Sequence, residues 1–418
     1  EFLNYFEPSI HLQITIQNRH IDNEDFRVQM LLPTDVASDG LDRYRREYNA
    51  MLSDKALQGQ NSIVREKFLT IAVHAGSYES AVQALARIET DIINNFKHLG
   101  CDIKLLSGAE RLEFIHGMFN PGDPFLFSYD YLLKSSLTTK DYVAPDSFDF
   151  TNKAYYEFGD NFGQSLYLKD LPPDLSDKLI TELSDIPCNM TITLHIRSVE
   201  QEQAFSLVRK KISFMEQQKI DEQKKAIKAG YDVEMIPYEL KYSLVEAEEL
   251  LDDLQNKNQR MFKVTVLVHT SARTVEELRE NVYQLMAVAR KNNCKLGSLD
   301  FLQEDAMNAA LPLGQNHVNI QRTLTTASTG ILIPFTTQEL FQEHGLYYGL
   351  NALSRNLIMF DRKTLKNPNG FILGTPGSGK SFAAKREIAN MILGTDDDFL
   401  IIDPEREYAS MAVSYTHL

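Results

Sequence analysis

The sequence predicts an α+β region followed by the opening of a parallel α/β domain. Three observations carry that prediction. Apolar residues recur with a strand period in some segments and a helical period in others along the first two-thirds of the chain. The resulting strand–helix–strand pattern returns further along. Near residue 380 an apolar run, a glycine-rich loop and an amphipathic helix follow one another directly.

Taken in order, "IHLQITIQ" (Ile10–Gln17) alternates apolar and polar residues as a half-buried strand does. "FLTIAVHA" (Phe68–Ala75) is a second strand. A helix follows it, with Val82, Leu85, Ile88 and Ile92 on one face. "CDIKLL" (Cys101–Leu106) reads as the next strand. Short strands in "SFDF", "YYEFG" and "QSLYLKDLPP" suggest a small β linker over residues 145–173. "NMTITLHI" (Asn189–Ile196) and "FKVTVLVHT" (Phe262–Thr270) are again strands. A helix with Val275, Leu278, Val282 and Leu285 on one face then runs into "NCKL" (Asn293–Leu296).

The second series echoes the first, down to His74 against His269 near a strand end. It suggests two duplicated ferredoxin-like units, residues 1–107 and 188–300, within an N-terminal α+β domain spanning 1–340. Residues 200–260 are charged and helical, broken near Gly230 and Pro237, and predict a projecting helical hairpin. Its charges read as a solvated face, because acids interleave with the bases.

Composition bounds the function. The 418 residues suggest about two to four domains. Hydrophobic content of 43% and charged content of 24% are ordinary for a globular protein. A net charge of −15 argues against an extensive nucleic-acid-binding surface. The three cysteines, Cys101, Cys188 and Cys294, have no metal-ligand spacing and read as reduced thiols. His74, His116 and His269 have no cysteine partners and read as core or surface residues. No apolar run reaches membrane-spanning length.

The segment that carries chemistry is "GFILGTPGSGKSF". Gly374–Ser381 matches G-x-x-x-x-G-K-S, the phosphate-binding P-loop. Gly374, Gly377 and Gly379 permit backbone shapes that aim amides inward, along with those of Thr375, Pro376's neighbours and Ser378. Lys380 places a charge on the β- and γ-phosphates, Ser381 offers a hydroxyl to Mg²⁺, and Phe382 is counted with Gly374–Ser381 among the nucleotide-binding residues. The helix end adds its positive dipole. The predicted ligands are therefore ATP and Mg²⁺. "FLIIDPEREY" predicts a neighbouring strand that ends on Asp403. Asp403 (toward the metal) and Glu407 (toward an attacking water) are candidates for a direct role, or they shape the strand end. The order of elements favours the second, since a hydrolytic Asp-Glu pair usually lies on a later strand. Asp396, Asp397 and Asp398 read as a solvated loop.

These residues bring a family into view. The chain resembles the type IV secretion and conjugation ATPases of the VirB/TrbE/CagE kind, in their Gram-positive conjugative-element form. The resemblance rests on "LPLGQN" (Leu311–Asn316), "QRTLTTASTGILIPFTTQELF" (Gln321–Phe341), "YYGLNALSRNLIMFDRK" (Tyr347–Lys363), "NPNGFILGTPGSGKSFAAKREIAN" (Asn367–Asn390) and "IIDPEREY" (Ile401–Tyr408). It extends to "GAERLEFIHGMFNP" (Gly108–Pro121) and "IDEQKKAIKAGYDVEMIP" (Ile220–Pro237).

The resemblance implies that residues 341–412 open a RecA-like ATPase domain. It also implies a hexamer, docking on secretion-channel and coupling subunits, and a peripheral position at the cytoplasmic face of a bacterial membrane, held through those partners. Family members continue to a later Asp-Glu strand, so the chain is expected to be truncated. Val413–Leu418, "VSYTHL", resembles a translated transposase end and is expected to be foreign. Three functions compete: an ATP-driven motor for DNA or protein transfer, a scaffold module that binds nucleotide without hydrolysis, and an unrelated P-loop enzyme such as a kinase. The last lacks any lid or acceptor segment after Ser381.

Overall fold

A computed structural model describes residues 2–20, 30–34, 40–58, 63–98, 101, 103–120, 123–172, 175–229, 237–333, 340, 342, 345–351 and 357–411. The expected foreign tail, Val413–Leu418, lies outside them, as does Gly230 of the hairpin turn. The chain forms two compact units. One comprises Glu1–Asn18 and Arg65–Pro334; the other comprises Arg19–Val64 and Phe335–Leu418. Residues 19–64 thus group with the glycine-loop segment, across the boundary that the sequence suggested near residue 340.

The first unit is built on a nine-stranded sheet. Its strands are β1 (Ile10–His20), β2 (Ile63–Val73), β3 (Phe148–Asp149), β4 (Tyr156–Phe158), β5 (Asn161–Asp170), β6 (Met190–Ser198), β7 (Met261–Ala272), β8 (Lys295–Ser298) and β9 (Arg322–Thr325). The main path runs β2-β1-β6-β7-β5-β4-β3, with β8 beside β5 and β9 beside β7. Every pairing whose register is defined is antiparallel, including Thr15↔Thr193 at the β1–β6 seam and Leu194↔Val266 between β6 and β7. The order places β1 and β6 side by side between the edge strand β2 and β7, which is the middle strand of the path.

Two sequence expectations are corrected here. Residues 145–173 are not a linker. β5 pairs with both β7 and β8, so this segment is part of the main sheet. Cys101–Leu106 forms no strand among its described residues; it follows the helix Tyr78–His98 as irregular chain. Its leucines Leu105 and Leu106 are exposed, so no sheet neighbour rewards an extended ladder there.

The two faces of the sheet differ in chemistry. Ile10, Leu12, Ile14 and Ile16 of β1 join Ile192, Leu194 and Ile196 of β6 and Val264, Val266 and Val268 of β7 in one apolar core. The helices Tyr78–His98 and Val275–Lys291 contribute Ile88, Ile92, Phe96, Leu285 and Ala289 to it. At about 1.5–3 kcal/mol per fully buried aliphatic side chain, this layer is the principal stabilising term.

The opposite face is polar yet also buried: Gln13, Thr15, Thr193, His195 and Thr265 are all nearly inaccessible. Strand alternation alone predicts these residues in water. Instead the helix Gln303–Ala310 and the chain after it cover them and supply acceptors. Gln13 Nε2 donates to Leu311 O at 2.8 Å, Thr193 Oγ1 to Ala310 O at 3.1 Å, and Thr265 Oγ1 to Ile320 O at 2.7 Å. "LPLGQN" is part of this cover. Gly314 has φ +70° and its N–H donates to Gln13 Oε1 at 2.7 Å, and a Cβ there would stand 2.9 Å from the Ala72 methyl.

From this sheet extend the helices Gln201–Lys228 and Tyr238–Asn256. Ala204, Val208 and Leu254 are buried between them, with Ile212, Leu250 and Leu251 packed alongside. The sequence predicts a helical hairpin over residues 200–260; these helices lie within that span, and the turn at 230–236 falls outside the described residues. No helix among the described residues is long and apolar enough to cross a membrane.

The second unit has a smaller core of Met30, Leu52, Tyr347, Leu357 and Met359. Leu52 comes from the helix Asp42–Gln58, Tyr347 from β10 (Leu346–Leu350), and Leu357 and Met359 from β11 (Leu357–Phe360), which pairs with β10 antiparallel; Met30 packs among them. The helix Lys380–Gly394 packs beside it, and Arg45 Nε donates to Leu393 O at 3.1 Å, placing a cation at that helix's C-terminal end. Two strands that the sequence predicts are absent. Neither "GFILG" nor "DDFLIIDPEREY" is extended in a ladder. Phe371 is 91% exposed and Leu400 95% exposed, so these runs have no sheet to enter. A buried parallel strand is stable only with neighbours on both sides and cover on both faces.

Candidate functional site

The glycine loop takes its shape from local rules. Gly377 has φ +78°, and Gly379, at the N-cap of the helix, has φ +87°, both in the left-handed region that costs a residue with a side chain. Gly374 is crowded in a different way: a Cβ there would lie 2.4 Å from Ser378 Oγ as that hydroxyl is placed. The Ser378 N–H donates to Thr375 O at 3.2 Å and closes the turn, and the Ala383 N–H donates to Gly379 O at 2.9 Å as the helix begins. The first helical amides have no partner within the helix and lie at its positive end.

Lys380 folds back over the loop it follows. Its Nζ donates to Gly374 O at 2.9 Å and to Thr375 O at 3.1 Å. Both are loop carbonyls, so the ammonium sits where an anion entering the loop would meet it. Thr375, Pro376, Ser378, Ser381 and Phe382 are all exposed, Phe382 to 73%. The cradle left by Gly374, the two left-handed glycines and the ammonium together fit a phosphate chain. Ser381, in the first turn of the helix, presents a hydroxyl that fits a Mg²⁺ ion held between it and a phosphate. These residues would hold the nucleotide, and the metal would neutralise charge on its phosphates.

Asp403 and Glu407 stand apart from that cradle. Asp403 Oδ2 accepts the Tyr408 N–H at 2.7 Å, and Arg406 occupies a left-handed conformation at φ +58° within the same turn. The Tyr408 ring lies 5.1 Å from Lys385 Nζ, which sets this turn against the helix flank. Glu407 is exposed. Among the described residues no hydrogen bond or ion pair links Asp403 or Glu407 to Lys380 or Ser381. The arrangement gives Asp403 the turn-shaping role. Asp397, which the sequence left in a solvated loop, pairs with Lys363, and that ammonium pulls its carboxyl below the usual range.

Sequence reasoning missed a polar cluster on the other side of the helix. Glu387 Oε1 accepts from Arg362 Nη1 at 2.5 Å and from the Tyr348 hydroxyl at 3.0 Å. Arg386 donates to Tyr348 O at 2.7 Å and lies 5.7 Å from the Tyr347 ring. Burial, then the Glu387 charge, pushes the Tyr348 phenol up to about 12. These groups border a cavity of about 520 Å³ between the hairpin, Asn369–Ile372 and the helix. Arg362 also donates to Pro368 O at 2.9 Å, so it ties the approach to the loop to the helix that follows it. The signal was faint: Arg386, Glu387 and Asn390 share a helical face, but nothing local names their partners 25 and 39 residues away.

Three histidines of the sheet, His11, His195 and His269, take part in its hydrogen bonding. His11 Nε2 and His195 Nδ1 are 2.9 Å apart across the β1–β6 seam, and His195 Nε2 donates to Ala309 O at 2.8 Å. That carbonyl fixes the proton on Nε2 and leaves Nδ1 to accept from His11. His269 is hydrogen-bonded through Nδ1 to Ser165 Oγ at 3.1 Å. Among the described residues no group of three or more His, Cys, Asp or Glu side chains could hold a metal ion.

No protein-family model matches the chain, and no characterised protein matches it. The functional reading therefore rests on the loop geometry and the motif.

Proposed function

We propose that the chain binds ATP with Mg²⁺ at Gly374–Ser381 and belongs to a motor subunit of a conjugative type IV secretion machine. The observation that carries the nucleotide part is the loop itself: two left-handed glycines, a third packed against Ser378 Oγ, and Lys380 held over the cradle at the start of a fifteen-residue helix. The motor part rests on the motif resemblance. On this reading a RecA-like domain contains residues 341–412. The α+β unit docks on channel and coupling subunits at the inner face of the membrane, and hydrolysis in the assembled ring drives transfer of DNA or protein.

A second reading is favoured by one specific observation. Asp403 spends its carboxylate on the Tyr408 amide rather than on the loop. The residues present then bind nucleotide without hydrolysing it, and the chain acts as a scaffold module.

The test is binding of a fluorescent ATP analogue to the full chain and to Lys380→Ala. Losing a charge-assisted contact worth about 1.5–3 kcal/mol weakens binding roughly 10- to 150-fold. Equal binding by both chains would remove Lys380 from the site, and no binding by either would remove the nucleotide. Turnover separates the two readings once binding is established.

A further inference from the structure

The cavity of about 520 Å³ in the second unit is bounded by the two segments that flank the glycine loop. Asn369–Ile372 runs on toward Gly374, and Ala383 and Asn390 belong to the helix that Gly379 caps. Gly379, Ala383, Glu387 and Asn390 follow one another at spacings of four, four and three, so they share one face of that helix. The cavity face therefore runs up to the loop. Its volume is that of a small-ligand site.

Most polar groups on the cavity wall are paired with one another. Glu387 Oε1 accepts from Arg362 and from the Tyr348 hydroxyl, and Arg386 donates to Tyr348 O. Asn390 differs. It is 5% exposed and lines the cavity, yet among the described residues its side-chain amide has no hydrogen-bond partner. A planar group with two donors and one acceptor is thus held in a confined wall with all of them unspent. Phe371 also lines the cavity and is 91% exposed, so its ring is open to a stacking partner.

We infer that the cavity is the base-binding subsite of the proposed nucleotide site, in which the Asn390 amide reads the edge of an adenine ring and Phe371 stacks on its face. The inference rests on the reading of Gly374–Ser381 as the phosphate cradle. Chemistry selects the base. Adenine presents a donor, N6, beside an acceptor, N7, and a side-chain amide meets that pair with its oxygen and its nitrogen. Guanine presents two acceptors, O6 and N7, on the same edge and leaves the amide oxygen without a donor. Glu387 is occupied by Arg362 and Tyr348, so its carboxylate is not free for the donors of guanine's other edge. Reach is sufficient. Helical rise sets Asn390 about 14 Å along the axis from Ser381, within the length of an extended nucleoside triphosphate, and helical side chains lean back toward the N-terminal end.

The experiment is calorimetric titration of the full chain with ATP, GTP and tripolyphosphate, each with Mg²⁺, on the wild type, Asn390→Leu and Phe371→Ala. Tripolyphosphate reports the cradle alone, and the ratio of ATP to GTP affinity reports the base subsite. The wild type is expected to bind ATP about 5- to 150-fold more tightly than GTP. Asn390→Leu should bring ATP down to the level of GTP and leave tripolyphosphate unchanged, which also shows that the loop remains folded. Phe371→Ala, at an exposed position, should weaken ATP and GTP together by a similar factor and leave tripolyphosphate unchanged. Equal binding of ATP and GTP by the wild type overturns the subsite while the cradle stands. So does a preference that survives Asn390→Leu, or wild-type ATP affinity in Phe371→Ala. If none of the three ligands binds, the nucleotide reading falls and the subsite falls with it.

Discussion

Gly379 isolates the backbone contribution to the loop. It holds φ +87° and ψ 18°, and nothing lies within 4 Å of where a Cβ would stand. A substitution there meets no atom, so its cost is conformational alone. Forcing a residue with a side chain into the left-handed region costs about 1–2 kcal/mol, less for Asn and more for a β-branched residue. That energy lowers the fraction of molecules whose loop is ready for phosphate, and apparent affinity falls by the same factor.

Gly379→Ala is therefore expected to weaken binding of an ATP analogue by roughly 5- to 30-fold. Gly379→Asn should lie between wild type and Ala, and Gly379→Val should be weakest. The assay is an equilibrium titration followed by fluorescence anisotropy, with each variant's folding checked by circular dichroism. If Ala, Asn and Val bind alike, or if Asn binds less well than Val, backbone strain is not what the glycine relieves. Gly374 is the contrasting position. There the obstacle is Ser378 Oγ at 2.4 Å, so Ser378→Ala should rescue Gly374→Ala and have no effect on Gly379→Ala.

Three further outcomes follow from the first unit and its contrast with the second. A Cβ at Gly163 would stand 2.6 Å from Cζ of Tyr156, which is 1% exposed and has nowhere to go, so Gly163→Ala should cost about 1–3 kcal/mol in urea unfolding. In a Tyr156→Ala background that cost should vanish; additive effects would show that the ring is not the obstacle. Burial pushes His195 and His269 down to about 4 from 6.5, so the unfolded chain takes up their protons first as pH falls. Their neutral forms contribute stability that is complete above pH 6.5 and is lost between 6.5 and 4, on the order of 3 kcal/mol each. His269→Gln should flatten the pH dependence of unfolding over that window, and an unchanged slope would refute it. Amides of 370–378 and 396–402, which lie in no ladder, should exchange far faster than those of β6 and β7; equal protection would mean that the apolar runs there are covered.

Which parts of this structure were legible in the sequence follows from where the stabilising partners lie. The helix Tyr78–His98 announces itself because Ile88 and Ile92 record one buried face in a local period. β1, β6 and β7 are equally plain on their apolar side. Their other side was misleading, because Gln13, Thr193 and His195 look like surface residues. Only the return of residues 303–320, more than a hundred positions away from β6, buries them. β5 was read as a linker for a related reason: its strand character is local, but its pairing with β7 lies across about a hundred residues.

The glycine loop shows the same division within a single site. Gly374, Gly377, Gly379 and Lys380 were legible together because the cradle is made by consecutive residues, and its two left-handed positions both fall on glycine. Asp403 was legible in part: the order of elements favoured a shaping role over a direct one, but whether it shapes a strand end or a turn depends on a neighbouring ladder. Where that ladder is absent, the carboxylate finds the nearest unpaired donor, the Tyr408 amide. A strand packed against "FILG" would change both facts at once. It would bury Phe371 and Leu400 and would extend the chain before Asp403, drawing its carboxylate out of the turn. The position of Asp403 is thus coupled to the pairing of the two apolar runs, whereas the glycine-loop cradle forms without them.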